Sequence, residues 1–212
     1  GNNFYINGEK ETTCSFETYM KTYLAEHKDK NNTELPIISG AIGYFSYEYG
    51  RKLMEVDSVK EDLVSIPDAV LVFYDFYIIE DRHEQRTYLI ANGITGKAAI
   101  NGKPVYMQKE SDTEYPIEVR PNFAKDEYKQ AVDRMIRYII EGDIYITNMT
   151  QQLTVKSDKV PLDVFYDLRE NNPSPFGGYF DYGDFQIVCA SPERFLKMQK
   201  GHVNTRPIKG TR

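Results

Sequence analysis

Three kinds of side chain in this sequence have the chemistry to act on a substrate. Lys209 carries an amine that becomes a nucleophile when it loses its proton, and Glu193 carries a carboxyl that can transfer protons. His83 and His202 are imidazoles whose charge changes near neutral pH. Taken singly, each has a more ordinary role: a solvated lysine, a turn carboxylate after Pro192, and two solvated histidines. Composition and periodicity alone therefore assign no activity.

Four segments between residues 142 and 211 place the lysine and the carboxyl in a wider pattern. In chain order they are Gly142–Asn148, Leu168-Arg169 with Asn172–Phe176, Ser191–Phe195, and Thr205–Thr211. This ordered set closely resembles the chorismate-utilising enzyme family, which includes component I of anthranilate synthase and of aminodeoxychorismate synthase. Gly40–Gly50 resembles another family segment, less closely. One such segment would be a weak signal, whereas four in order with family-like spacing are a specific one.

The resemblance implies a reaction in which chorismate exchanges its C4 hydroxyl, a poor leaving group, for an amine. Lys209 matches the nucleophile that adds at C2 and expels this hydroxyl, after which ammonia adds at C4 and releases the lysine. Glu193 matches the family's general acid/base, and Gly210 and Thr211 match its substrate-binding positions. A lysine must be neutral to attack, so its reference pKa of about 10.4 has to be lowered by burial or by a nearby cation.

Within the family, the residue at position 209 distinguishes two products. Members that form aminodeoxychorismate typically carry Pro-Ile-Lys-Gly-Thr, as found at Pro207–Thr211, whereas anthranilate-forming members usually have alanine in place of the lysine. The resemblance therefore favours the aminodeoxychorismate-forming members, which serve para-aminobenzoate and folate synthesis. Component I of anthranilate synthase, which releases pyruvate and forms an aromatic product, is the alternative within the family.

The resemblance also implies partners and a second site. Component I of these enzymes uses magnesium and receives ammonia from a glutamine amidotransferase subunit. In the family, the Asn-Pro-Ser-Pro loop lines a tryptophan pocket away from the catalytic residues, and Pro175, Phe176 and Gly177 are the matching positions. The family's other tryptophan-binding segment has no match in residues 1–35. A non-catalytic module that binds an amino-acid effector or an amidotransferase is therefore an alternative from another functional class.

The overall composition narrows the class of protein further. The 212 residues include 26 Lys plus Arg and 32 Asp plus Glu, and the net charge of −6 argues against nucleic acid as a partner. Apolar runs such as Ala69–Tyr74 are far too short to cross a membrane. The first residues lack the basic start and apolar stretch of a signal peptide, which favours a cytoplasmic location. Two distant cysteines, Cys14 and Cys189, form no disulfide framework or zinc motif.

The elements that must position the chemical groups follow from hydrophobic periodicity. Lys125–Glu141 has a continuous apolar stripe and Gly142 as its stop, which predicts a helix that packs on a sheet. Helices are also predicted for Phe16–Ala25 and Pro161–Glu170. Strands are predicted for Gly40–Gly50 (running into a turn), Val70–Glu80, Arg86–Ala91, Ile144–Val155, Gly178–Tyr182, Phe185–Ser191, Arg194–Gln199 and Val203–Ile208.

These elements predict an α+β fold. Successive short strands joined by tight turns favour antiparallel sheets, arranged like a sandwich with helices on the outer faces, as a partial copy of the family fold. The Lys200-Gly201 turn predicts a hairpin that brings Glu193 and Lys209 to one surface.

The expected domain organisation has two parts. Residues 1–120 form a strand-rich part that ends in a linker at 92–120, where glycine and proline are frequent. Residues 121–212 form the first part of a chorismate-binding catalytic domain. The resemblance places the magnesium ligands, an active-site histidine and most carboxylate-binding groups beyond residue 212. We therefore expect the chain to be a piece of a longer protein, truncated at both ends, and to be inactive alone.

Overall fold

A computed structural model of the chain describes residues 3–57, 63–92 and 118–208. The chain divides into two units, Gly1–Lys103 and Pro104–Arg212. In each unit, helices alternate with antiparallel pairs of strands. The predicted α+β class is therefore confirmed. The predicted linker falls largely outside the described residues.

The first unit opens with a hairpin that the sequence interpretation missed. Strands β1 (Phe4–Ile6) and β2 (Glu9–Glu11) pair antiparallel with Ile6 opposite Glu9. The two residues between them, Asn7 and Gly8, both have positive φ, at 52° and 87°. Asn-Gly is a favoured dipeptide for such a two-residue turn, because both residues tolerate the left-handed region.

Two serine-capped helices follow in this unit. Helix α1 (Phe16–Glu26) confirms the predicted helix, and the Ser15 hydroxyl caps it by accepting the Thr18 N–H at 3.2 Å. After strand β3 (Ala41–Phe45), the chain forms helix α2 (Tyr47–Leu53), where only a turn was expected. Ser46 explains the difference, because its side chain accepts the Tyr49 N–H at 3.1 Å and so caps a helix.

The predicted single strand over Val70–Glu80 is two strands. Strand β4 (Ala69–Phe73) pairs with β3, whereas β5 (Phe76–Asp81) pairs with β6 (Arg86–Ala91), whose bounds match the prediction. The break comes at Tyr74-Asp75, where the Asp75 carbonyl accepts the Asn92 N–H at 2.8 Å. A continuous β-rich composition hides such a change of partner.

The second unit begins with a strand pair formed by residues far apart in sequence. Strand β7 (Glu118–Pro121) pairs antiparallel with β8 (Leu153–Lys156). Residues 118–120, expected to end the linker, are therefore part of a sheet. The strand predicted over Ile144–Val155 is much shorter than expected, since residues 144–152 lie outside any strand.

Helix α3 (Lys125–Glu141) has the predicted bounds and ends at Gly142, whose φ of 86° is left-handed. The described residues nevertheless leave much of its apolar stripe exposed: Ile136 is 48% exposed, and Ile140 is 78% exposed. The sheet expected beneath this helix is thus not supplied by the described part of the chain.

Helix α4 (Pro161–Asn171) packs on a hairpin of strands β9 (Phe176–Asp181) and β10 (Gln186–Ser191). Phe165 of the helix lies 6.0 Å, centroid to centroid, from Tyr179 of β9. The last hairpin joins β11 (Arg194–Gln199) to β12 (His202–Arg206). None of the helices in the described part of the chain is both long and apolar enough to cross a bilayer.

Candidate active site

The hairpin of β11 and β12 organises the candidate site. It closes at Lys200-Gly201, whose φ angles of 50° and 79° are both positive, as a two-residue hairpin turn requires. Gln199 faces His202 directly across this turn. The hairpin predicted from the sequence is therefore present, and its open end carries Glu193 on one side and Ile208 on the other.

A β-bulge lies near the open end of this hairpin. Lys197 pairs with Asn204, whereas Arg194 pairs with Arg206, so Phe195 and Leu196 together face one residue of β12. An extra residue of this kind bends the strand and changes the direction of nearby side chains, which is why bulges are frequent beside active sites.

Glu193 directly precedes β11 and is half-buried. Its carboxylate oxygen Oε2 accepts a hydrogen bond from the main-chain N–H of Ile208 at 3.2 Å. At the open end of the hairpin, the side chain that precedes β11 is thus fixed to the main chain that follows β12. Ile208 immediately precedes Lys209 in the sequence, while Lys209, Gly210 and Thr211 themselves lie outside the described residues.

The candidate effector segment lies beside the strand that leads to Glu193. Phe176, the first residue of β9, faces Ser191, the last residue of β10, and Gly177 faces Ala190. The turn before β9 is closed by the Gly177 N–H, which donates to the Ser174 carbonyl at 3.2 Å. A side chain at Gly177 would crowd the paired strand β10, because a Cβ there would lie 3.1 Å from the Cys189 carbonyl oxygen.

Arg194 connects the two candidate sites, and the sequence interpretation gave it no role. Its guanidinium carbon lies 5.4 Å from the centroid of the Phe176 ring, within cation–π range. Its Nη1 donates to Asn204 Oδ1 at 3.0 Å. The contacts join residues that are distant in sequence, and no local pattern marks them. The Arg194 position beside Glu193 was the one available signal.

Asp181 lies at the opposite end of the hairpin of β9 and β10. Its carboxylate accepts the Gly183 N–H at 2.9 Å and the Gln186 side-chain amide at 3.0 Å. The Gly183 hydrogen bond, followed by that of Gln186, lowers the pKa of Asp181. The contacts stabilise the turn between the strands, so we interpret Asp181 as a structural carboxylate.

Magnesium, which the sequence resemblance implies, finds no ligand set in the described structure. Across residues 3–57, 63–92 and 118–208, no three His, Cys, Asp or Glu side chains come together in a way that could hold a metal ion. Glu193 is a single carboxylate bound to a main-chain N–H, which does not amount to a metal site.

Comparisons with known proteins cover nearly the whole chain. Residues 4–212 match the model of a family described as chorismate binding enzyme. Aminodeoxychorismate synthase component 1 of Bacillus subtilis is 30% identical over 218 residues, which span 96% of this chain and 46% of that protein. Anthranilate synthase component 1 of Acetivibrio thermocellus is 28% identical, over 91% of this chain and 44% of that protein.

The fold has a counterpart among solved structures. The crystal structure of anthranilate synthase component I from Streptococcus pneumoniae matches 94% of this chain with a TM-score of 0.75 and 24% identity. Only 48% of that protein takes part in the match. The chain thus spans about half the length of the proteins it resembles.

Proposed function

The chain belongs to the chorismate-binding enzyme family, and on this basis we propose that its parent protein, the natural protein that contains these residues, aminates chorismate. The product would be 4-amino-4-deoxychorismate, a precursor of para-aminobenzoate and folate. The observation that carries the proposal is the hydrogen bond between Glu193 and the Ile208 N–H. It ties a carboxylate to the segment Pro207–Thr211, in which the resemblance identifies a nucleophilic lysine.

Lys209 is the proposed nucleophile. Its neutral amine adds to C2 of chorismate, the ring double bonds shift, and the hydroxyl at C4 leaves. Ammonia then adds at C4, the double bonds shift back, and the bond between C2 and the lysine breaks. The covalent intermediate divides one difficult displacement into two easier ones, which is the usual benefit of nucleophilic catalysis.

Glu193 is the proposed general acid/base. A hydroxide ion is a poor leaving group, so a proton delivered to the C4 oxygen as the C–O bond breaks lets it leave as water. The Ile208 N–H occupies one lone pair of Oε2 at 3.2 Å. A carboxylate has about four acceptor sites on its two oxygens, so this one main-chain donor does not by itself prevent proton exchange.

The lysine at position 209 supports aminodeoxychorismate over anthranilate as the product. Two observations favour the alternative: several of the relatives, including the one from Acetivibrio thermocellus, are anthranilate synthase component 1, and so is the solved structure with the matching fold. Both reactions start from chorismate and an amine source. They diverge at the fate of the enolpyruvyl group, which is retained in aminodeoxychorismate and expelled as pyruvate when anthranilate forms.

A second component is the proposed partner. The relatives are named as component 1 of their synthases, which supports a two-component enzyme in which a glutamine amidotransferase supplies ammonia.

We place this enzyme in the cytoplasm, and we assign Pro175, Phe176 and Gly177 to a tryptophan-binding segment. Magnesium would be held by residues other than those described.

Product identification tests the proposal. The parent protein is incubated with chorismate, magnesium and an ammonium salt, and the products are separated by mass. Aminodeoxychorismate, with one hydroxyl replaced by an amine and the enolpyruvyl group retained, is the expected result. Anthranilate with released pyruvate would retain the family and overturn the assignment from Lys209. Absence of any chorismate turnover, together with tryptophan-dependent thermal stabilisation, would favour the non-catalytic effector module.

A further inference from the structure

Arg194 is the residue whose contacts the proposed reaction leaves unexplained. It directly follows Glu193, begins β11 and is half-buried. Its partner across the hairpin is Arg206, so two cations face each other in register. Like charges placed directly opposite on a sheet are destabilising. A guanidinium at this position must therefore gain stabilisation from other contacts.

Two contacts restrain the guanidinium group of Arg194. The guanidinium lies over the Phe176 ring of β9 at 5.4 Å, and its Nη1 donates to Asn204 of β12 at 3.0 Å. The main-chain carbonyl of Arg194 also accepts the Thr205 hydroxyl at 3.3 Å. One residue thus connects three strands, β9, β11 and β12, at the open end of the hairpin.

This end of the hairpin is where additional restraint is needed. The bulge at Phe195 and Leu196 interrupts regular pairing directly after Arg194. Glu193 lies on the other side of Arg194 and precedes the strand, so main-chain pairing does not restrain it in the way that it restrains β11. Fixing the Arg194 side chain and carbonyl fixes the backbone from which the Glu193 side chain extends.

We propose that Arg194 is a positioning residue, which holds the Glu193 carboxylate on the Ile208 N–H and so in place for proton transfer. The inference deepens the proposed function and rests on it for its kinetic consequence. Its structural consequence is independent of activity, because Glu193 is the acceptor that the described residues provide for the Ile208 N–H and so protects this amide from exchange. A catalytic group displaced by even 1 Å can lose much of its effect, so a large kinetic penalty is expected from a residue that touches no substrate.

The test compares Arg194→Gln with Lys197→Gln in the parent protein. Lys197 lies on the same strand opposite Asn204 and is exposed, and its side chain makes no hydrogen bond or ion pair with another described residue. We expect Arg194→Gln to lower kcat at least tenfold and to change the KM for chorismate less than threefold. Lys197→Gln should alter neither. Arg194→Lys, which retains a cation able to reach the ring, should recover part of the lost kcat.

Two further measurements separate positioning from a general structural role. In a Glu193→Gln background, Arg194→Gln should cost little additional kcat, because the proton transfer it supports is already lost. Hydrogen exchange at the Ile208 amide should accelerate in Arg194→Gln and remain slow in Lys197→Gln. Equal losses of kcat in both backgrounds, or unchanged exchange at Ile208, would overturn the inference. If the wild-type parent shows no chorismate turnover while the exchange result holds, the proposed function fails and the positioning role stands.

Discussion

The Glu193 carboxylate is held by the Ile208 main-chain N–H, 3.2 Å from Oε2. Every residue except proline supplies this backbone donor, so substitution of Ile208 by any other residue would leave this contact in place. The restraint depends instead on the path of the chain through Pro207 and Ile208, the residues directly before Lys209. This arrangement joins the carboxylate to the residue that directly precedes Lys209 in the sequence.

Glutamine at position 193 separates the structural role of this carboxylate from its chemical one. The glutamine carbonyl can still accept the Ile208 N–H, but the amide cannot transfer a proton. We therefore expect Glu193→Gln to lower kcat by about 10²- to 10⁴-fold, the range for loss of a general acid/base. Its free energy of unfolding should stay within about 1 kcal/mol of the wild type. Steady-state kinetics and urea unfolding of the parent protein provide both values.

Alanine at the same position is the matched comparison. Glu193→Ala removes the acceptor as well as the acid, so it should be as inactive as Glu193→Gln and less stable. A Glu193→Gln variant with near-normal kcat would show that the carboxyl acts only as an anchor for Ile208.

Lys209→Arg tests whether Lys209 acts as a nucleophile or only as a positive charge. Arginine retains the charge but stays protonated at any accessible pH, so it cannot attack C2 of chorismate. When ammonia is withheld, the intact mass of the wild-type parent should increase by that of chorismate minus one water. Neither Lys209→Arg nor Lys209→Ala should show this adduct. The matched control, Lys197→Ala, should form it normally, and an adduct that persists in Lys209→Ala would exclude this lysine as the attacking group.

Substitution by alanine should change stability in opposite directions at two glycines of the first unit. A Cβ at Gly43, in strand β3, would collide with the Val70 carbonyl oxygen of the paired strand, whereas a Cβ at Gly50, in helix α2, would meet nothing within 4 Å. Gly43→Ala should therefore destabilise by about 1–3 kcal/mol, as overpacking does. Gly50→Ala should stabilise by about 0.5–1 kcal/mol, because alanine is the better helix former.

Urea unfolding of both alanine variants in the parent protein checks this pair. Equal stabilities would mean that β3 and β4 do not approach each other as closely at Gly43 as the structure indicates.

Local sequence patterns predict an element when its signal lies within a short stretch of the chain. Helix α3 has its predicted bounds because a 3.6-residue apolar period and a left-handed glycine both mark it. The Asn7-Gly8 hairpin and the Ser46-capped helix also have local signals, but no hairpin was predicted at the first position and a strand running into a turn was predicted at the second. The break between β4 and β5 had none, since the strands differ in partner and not in composition.

The candidate site likewise has one part that the sequence predicted and one part that it did not. The turn at Lys200-Gly201 predicted the hairpin, and the hairpin brings Glu193 to Ile208. The contact of Arg194 with Phe176 crosses between two hairpins and depends on side-chain direction, which sequence spacing does not specify. The role of Lys209 came from the family resemblance and stays a prediction, since this residue lies outside those described.

A hydrogen bond in the first unit predicts how stability depends on pH. The Tyr49 hydroxyl donates to Glu17 Oε1 at 2.9 Å. The pKa of Glu17 is lowered, first by its own main-chain N–H and then by Tyr49. Burial, together with Glu17, raises the pKa of Tyr49 to about 12. The stabilisation from Glu17 is therefore present above its unfolded pKa, near 4.5, and is lost as the pH falls through the lower folded value.

Tyr49 makes the stability of the protein depend on pH in the opposite direction, with a loss at high pH. Because its folded pKa exceeds the ordinary value of 10.0, its contribution is complete below pH 10 and is lost as the pH rises towards 12. Tyr49→Phe removes both the donor to Glu17 and the titrating phenol. It should destabilise the parent protein at pH 7 by about 1 kcal/mol, the usual value of one hydrogen bond, and this deficit should shrink in acid and in alkali.

Tyr47→Phe on the same helix is the control for this prediction, because Tyr47 is 87% exposed. Melting temperatures of the wild type and the two variants, measured between pH 3 and pH 11, supply the comparison. Tyr47→Phe should follow the wild-type profile throughout, since its hydroxyl stays in water in both states. If Tyr49→Phe also followed that profile, the bond to Glu17 would contribute nothing to folding. A deficit constant across the whole pH range would assign the effect to packing of the ring and not to the titrating pair.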